Sequence, residues 1–468
     1  MSSFLPSSPS RRAFARWSVA GLGAALLTGS ALAAPMDGFG QAEWAQRYDS
    51  DARLSVPRST TPLLSPATME ATEAAIGRYR QIVASGGWGV VPAGGTLKLG
   101  VRSPAVVTLR QRLQASGDLD GVAPDSPVFD SYVEAGVRRF QARHGFSETG
   151  VVGKETVTAL NIPAETRLRQ LELNVGRIRT FAGGVGRRFV TANIPAALVE
   201  TVENGQVMTR HQAGVGRYDR QSPIMQAKVL DINFNPYWTV PASIIRKDLI
   251  PKMQADPHYL SDNKIRIYTK DNVELQPQQV NWRSMEAMNY KFRQDQGGDF
   301  NSLGVVRINI ANPYGVYMHD TPAKGVFGDD YRFVSSGCMR LQNVRDYVAW
   351  LLKETPGWDR DRIDAVIASG ERIDAKINEP VPVYWVYVTG WATPEGIVQF
   401  RDDIYKKDGL GVVATLEQAA PYTVPGYEKA KEERERAQSA ASGRGGAAAP
   451  VAAPTRGGGA LQPMDEED

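Results

Sequence analysis

The sequence predicts a multidomain chain. Helical segments and a small three-helix module come first, then a mainly β domain with a mixed helical insertion, then an unstructured tail. Three observations predict this. Apolar residues recur at helical spacing up to about residue 180. From about residue 186, β-branched and aromatic residues gather in short runs parted by turns, of which Asn204-Gly205 is the clearest hairpin signal. Beyond about residue 429, large apolar residues almost vanish.

The chain has 468 residues, enough for two or three domains. Hydrophobic residues make up 42% and charged residues 22%, an ordinary globular balance. A net charge of +3, with no block of lysine and arginine, gives no reason to expect a nucleic-acid partner. One cysteine excludes an internal disulfide, and the four histidines form no metal-binding spacing, so no metal site is expected.

The N-terminus reads as an export signal, residues 1–33. Ser10–Arg16 is basic, Trp17–Ala33 is mostly apolar, and Ala31-Leu32-Ala33 supplies small residues for cleavage. Arg11-Arg12 followed by Phe14 resembles a twin-arginine signal, which would place the mature protein in the periplasm. No other apolar stretch is long enough for a membrane helix, so no membrane span is expected after signal removal.

Residues 34–98 form a helical scaffold segment. Ser65-Pro66 reads as a helix start, with Met69, Ile76, Tyr79 and Val83 on one face, Thr72 interrupting it, and Gly86-Gly87 ending it. Residues 99–162 form the helical module. Val106, Leu109 and Leu113 make one stripe and Val133, Val137 and Phe140 a second. Residues 163–185 read as a helix returning to the scaffold. The mainly β domain spans 186–410. Residues 241–302 read as a helical and mixed insertion, a candidate lid. After it, Val344, Tyr347, Val348, Leu351 and Leu352 give a helical face, with Asn343 as the expected cap. The runs at 380–405 are expected to close the β domain. Residues 429–468 are rich in charge, then in Ala, Gly and Pro, and are expected to be disordered.

The lone thiol, Cys338, sits in a Ser-Ser-Gly-Cys turn. A cysteine attacks as thiolate, and an imidazole beside it can take the proton. His319 ends an apparent strand, VYMHD, upstream of that turn. Two strand ends joined by one loop can face each other. Gly337 allows close backbone approach, and the amides of Gly337 and Cys338 are candidates to face a developing oxyanion. Against this, a lone cysteine is usually a small buried hydrophobe, and a strand-end histidine is often only hydrogen-bonded.

Specific motifs strengthen the first reading. His319-Asp320-Thr321-Pro322 followed by Ser335-Ser336-Gly337-Cys338-Met339-Arg340-Leu341 resembles the signature of L,D-transpeptidases with a YkuD-type catalytic domain. NPYWTVP at 235–241, FNSLGVVRINIANPYGVYMHDTP at 300–322 and the run at 380–405 resemble the large multidomain branch of that family. Phe140-Gln141, His144-Gly145-Phe146, Gly150, Val152-Gly153, Thr156 and Leu160 resemble a peptidoglycan-binding module.

The resemblance implies a YkuD-like β-sandwich with Cys338 as nucleophile and His319 as general base. Asp320 is implied to orient the imidazole through its backbone carbonyl. Arg340 is implied to support the site or meet a substrate carboxylate. Ser335 and Tyr317 are further substrate-binding candidates. The usual motif reads His-Gly-Cys; here Ser336 precedes Gly337, and its role is open. The implied partners are peptidoglycan stem peptides and glycan strands, with carbapenem-type β-lactams as inhibitors. The implied reaction is a 3-3 cross-link through a thioester with release of D-Ala, and it needs no metal or cofactor. An L,D-carboxypeptidase, a transferase attaching an outer-membrane protein to peptidoglycan, and a non-catalytic wall-binding scaffold are the alternatives.

Overall fold

Ser65 starts the first helix as its sequence demands. In this computed structural model, which describes residues 56–121, 123–295, 298–411 and 431–436, the Ser65 side chain accepts the Thr68 N–H and Pro66 takes the first position of α1 (Pro66–Ala84). Thr72, which interrupts the apolar stripe, is buried. Its hydroxyl donates to Thr68 O at 2.7 Å and accepts the Ala392 N–H at 3.0 Å. The stripe thus admits one polar residue because a neighbouring backbone needs an acceptor there.

The module is α2 (Pro104–Ala115), α3 (Ser131–His144) and α4 (Lys154–Leu160). The two expected stripes meet: Val106, Leu109, Leu113, Val133, Val137 and Phe140 are all fully buried in one core. Each such side chain contributes about 1.5–3 kcal/mol by leaving water. Helix α5 (Ala164–Ala182) returns against α1, where Leu171 and Val175 pack with Ala75, Ile76 and Tyr79.

The β domain begins with β1 (Arg188–Asn193), β2 (Leu198–Glu203), β3 (Gln206–Gly216) and β4 (Met225–Phe234). Asn204 and Gly205, at φ 51° and 74°, make the hairpin turn that joins β2 to β3. Within the insertion lie β5 (Trp238–Thr239), α6 (Ala242–Ile244), α7 (Ile250–Ala255), α8 (Tyr259–Asp262), β6 (Ile265–Tyr268), β7 (Glu274–Leu275) and β8 (Lys291–Gln294). The domain resumes with β9 (Val306–Ile310), β10 (Met318–His319), β11 (Phe333–Ser335), β12 (Met339–Leu341), α9 (Val344–Leu352), α10 (Arg360–Ser369) and β13 (Ile373–Val386). A two-stranded ribbon, β14 (Gly390–Ala392) and β15 (Val398–Phe400), follows.

Nine strands form one sheet in the order β11-β3-β12-β10-β9-β4-β13-β1-β2. Because β2 also pairs with β3, the sheet closes on itself. Its core holds Ile232, Phe234, Ile308, Met318 and Met339 from the strands, covered by Tyr347, Val348 and Leu351 of α9. The protein is therefore a multidomain chain with a mainly β domain of barrel-like sandwich form and a helical module. Among the described residues, no helix is long and apolar enough to cross a membrane.

Four expectations need correction. Asn343 does not cap α9 with its side chain. It sits at φ 49° and its carbonyl accepts the Asp346 and Tyr347 N–H groups instead. The insertion carries a four-stranded sheet, β5-β8-β6-β7, around its own core of Trp238, Leu249, Met253, Leu260, Ile267 and Phe292. Ile-Arg-Ile-Tyr and Lys-Phe-Arg-Gln do alternate, but over four residues each, too short a run to be read in sequence. The run at 380–405 does not all close the β domain: β14 and β15 pack on α1 and α5. In the tail, residues 431–436 are helical, and Arg434 pairs with Asp256 and Asp262 of the insertion at 3.4 and 3.1 Å. The export segment and the rest of the tail lie outside the described residues.

Candidate active site

Strand register decides which side chains share a face. β10 and β12 are parallel neighbours, with Met318 opposite Met339 and His319 opposite Arg340. β9 runs antiparallel on the other side, with Arg307 opposite His319. Side chains alternate along a strand. Met318 and Met339 are fully buried in the core. Arg307, His319 and Arg340 therefore belong to the opposite face, while Tyr317 and Cys338 directly precede the paired residues of β10 and β12, and Cys338 also packs against the core. The Tyr317 and His319 rings lie 5.7 Å apart, and the Arg307 guanidinium sits 4.3 Å over the Tyr317 ring.

The turn carrying Cys338 is held by hydroxyls. Gly337 adopts φ +113°, a conformation that L side chains rarely reach, and an added Cβ would stand 3.4 Å from Val316. Ser335 Oγ donates to Cys338 O at 2.5 Å and accepts the Gly337 N–H at 3.1 Å. Ser222 Oγ donates to Gly337 O at 2.9 Å and accepts the Gly216 N–H at 2.9 Å. Ser335 is thus buried and holds the turn. The Gly337 amide is spent inside the turn, so of the two amides expected to face an oxyanion only that of Cys338 stays a candidate. Ser336 is exposed, and its Oγ accepts from Arg220 at 2.9 Å. Arg220 also grips Asp248 of the insertion with both Nη atoms.

His319 is oriented by its neighbour. Its Nδ1 lies against Asp320 O. A carbonyl only accepts, so Nδ1 carries the proton and Nε2 is left as the acceptor. The Asp320 carboxylate is fixed in turn by the Val305 N–H at 3.0 Å and by the Lys324 ammonium. Gly304 makes room for it, since a Cβ there would stand 2.2 Å from Asp320 Oδ2.

Burial sets the protonation of the pair. It drives the Cys338 thiol up to about 11, against the opposing pull of a Tyr317 backbone hydrogen bond and of Arg307 and Arg340. It drives His319 down to about 3, helped by the Arg340 and Arg307 cations and opposed by the Asp320 carbonyl. Both groups are neutral at rest. Burial, and the proximity of Cys338, also push the Tyr317 phenol above its ordinary range, so it remains a neutral donor. Burial lowers Arg340 from its usual value, partly offset by Cys338.

Sequence reasoning missed four residues of this site: Arg307, Arg220, Ser222 and Asp248. Arg307 had a signal, because in VVRINI it alternates with buried apolar residues. The other three are joined to the turn only by folding.

Residues 187–367 match the family model "L,D-transpeptidase catalytic domain" (YkuD), and residues 102–160 match "Putative peptidoglycan binding domain". A relative from Haemophilus influenzae, named "Putative L,D-transpeptidase", is 32% identical over 240 residues, which are 51% of this chain and 48% of the relative. The match thus spans about half of that relative's length. Among solved structures, an L,D-transpeptidase in complex with imipenem is 18% identical with a TM-score of 0.22, over 42% of this chain and 58% of the other. An L,D-transpeptidase from Stackebrandtia nassauensis is 12% identical with a TM-score of 0.24, over 62% and 94%. Residues 187–367 are thus similar to YkuD-type L,D-transpeptidase catalytic domains, and residues 102–160 to peptidoglycan-binding domains.

Proposed function

We propose that this protein is a periplasmic cysteine acyltransferase that forms 3-3 cross-links between peptidoglycan stem peptides. The observation that carries the reading is that Cys338 directly precedes β12, the parallel neighbour of the strand bearing a histidine whose Nδ1 is tied to Asp320 O, which leaves Nε2 as a base. Cys338 Sγ attacks the carbonyl of the third stem residue as its proton passes to His319 Nε2. The S–C bond forms, and the Cys338 N–H is the candidate donor to the oxyanion. Collapse breaks the C–N bond, and the imidazolium proton goes to the leaving D-Ala amine. A side-chain amine of a second stem then attacks the thioester. The new C–N bond forms, the C–S bond breaks, and the amine's proton returns through His319 to the sulfur.

The neutral resting pair suits this sequence. The base is unprotonated at neutral pH, and proton transfer accompanies attack instead of preceding it. The helical module would hold glycan strands, and carbapenem-type β-lactams would acylate Cys338. The test is incubation of the mature protein with disaccharide-tetrapeptide, with products read by mass spectrometry beside the Cys338→Ala variant. Cross-linked dimers that vanish in the variant are expected. Tripeptide as the sole product would move the reading to an L,D-carboxypeptidase.

A further inference from the structure

Several arginines of this protein meet a carboxylate, and others, such as Arg112 and Arg401, bond to backbone carbonyls. Arg143 meets Asp118, Arg220 meets Asp248, and Arg293 meets Asp295. Arg307 and Arg340 do not. Neither has a hydrogen-bond or ion-pair partner among the described residues, and the Nε of each is buried without one. The acids close to them in the sheet are engaged elsewhere. Asp320 is held by Lys324 and the Val305 N–H. Asp231 accepts from Asn309 and Asn233, the latter opposite Arg307 on β4. Arg307 and Arg340 flank His319 in register, one on each neighbouring strand. Gly214, opposite Arg340 on β3, leaves that side chain room, since a Cβ there would already touch Arg340 at 3.4 Å. Two cations on the reacting face, beside a neutral thiol and a neutral imidazole, lack an anion.

We propose that Arg307 is a specificity-determining residue that, together with Arg340, holds the terminal carboxylate of the donor's leaving amino acid. The proposal rests on the reading of Cys338 as nucleophile. The leaving amino acid carries its carboxylate two bonds beyond the scissile nitrogen, so every productive pose brings an anion to this face. Stacking on Tyr317 fixes the plane of the Arg307 guanidinium and leaves its edge for the carboxylate. The arriving charge also offsets the two cations that depress His319, and so makes the base stronger when the donor is bound. Donors with a blocked or displaced terminal carboxylate are disfavoured for the same reason.

The experiment compares a disaccharide-tetrapeptide with its C-terminal carboxamide as donors for the wild type, Arg307→Gln and Arg307→Lys. Variants are first checked for a wild-type melting temperature. The wild type is expected to prefer the carboxylate by roughly 10- to 100-fold in kcat/KM, the range for a hydrogen bond to a charged group. In Arg307→Gln that preference should collapse toward one, with the loss on the carboxylate donor lying mainly in KM. Arg307→Lys should recover part of it. Equal losses on both donors, or a preference that survives Arg307→Gln, would overturn the assignment while leaving the cysteine mechanism intact. A wild type that turns over neither donor would instead defeat the cysteine reading, and the proposal with it.

Discussion

At the scale of single residues, the site depends on a thiol and an imidazole that burial moves in opposite directions. A raised cysteine holds its proton until high pH, and a lowered histidine stays neutral through the neutral range. The sign is fixed: because the folded thiol titrates near 11, the thiolate fraction of the free enzyme grows as pH rises toward that value. Alkylation of Cys338 by iodoacetamide should therefore accelerate up to about pH 11 with no plateau near neutrality. A plateau reached by pH 7 would show a preformed thiolate–imidazolium pair instead. Cys338 and His319 were legible in the sequence because they are scarce residues in unusual settings, one unpaired thiol in a glycine turn and one histidine at a strand end. Arg307 was not. Its meaning comes from lying opposite His319, and strand register is fixed by the fold rather than by local pattern.

At the scale of elements, the insertion folds around its own core yet is tied to the turn that carries Cys338. Arg220, between β3 and β4, binds Asp248 of the insertion and Ser336 in the turn with one guanidinium. Tyr317 continues the connection, since it packs against the insertion's core. The insertion's helical run widens to π geometry at Ile245–Leu249, where Pro251 has no N–H to return to the preceding turn. The position of the insertion was legible from sequence, because a helical and mixed stretch interrupts the β runs. Its sheet and its latch were not, being built from strands of two to four residues and from residues distant in the chain. If the latch keeps water from the thioester, Asp248→Ala should raise tripeptide relative to cross-linked dimer. The expected change is on the order of 5-fold, the upper end for a partly exposed ion pair. An unchanged product ratio, read by chromatography of muropeptides, would remove the lid from the chemistry.

At the scale of the whole molecule, the helical module and the strands are joined by buried polar contacts. Arg143 of α3 pairs with Asp118 through two bonds and donates to Val398 O of β15 at 3.3 Å. His144 stacks on Phe400 with ring centroids 5.6 Å apart, and burial, helped by Arg143, holds its imidazole well below the ordinary value. The sequence showed the two helical stripes, the hairpin and the break at residue 186, since each is a local pattern. It could not show that β14 and β15 leave the main sheet to bind α1 and α5, because a ribbon's partners are chosen by surfaces formed only after folding. The proposed chemistry requires Cys338 as the nucleophile and His319 as its base. The most direct test is the intact mass of the enzyme after brief incubation with disaccharide-tetrapeptide and an acid quench. An adduct of the donor minus its terminal residue is expected on the peptide bearing Cys338, absent in Cys338→Ala and much slower to form in His319→Ala. An adduct on another residue, or turnover that survives Cys338→Ala, would contradict it.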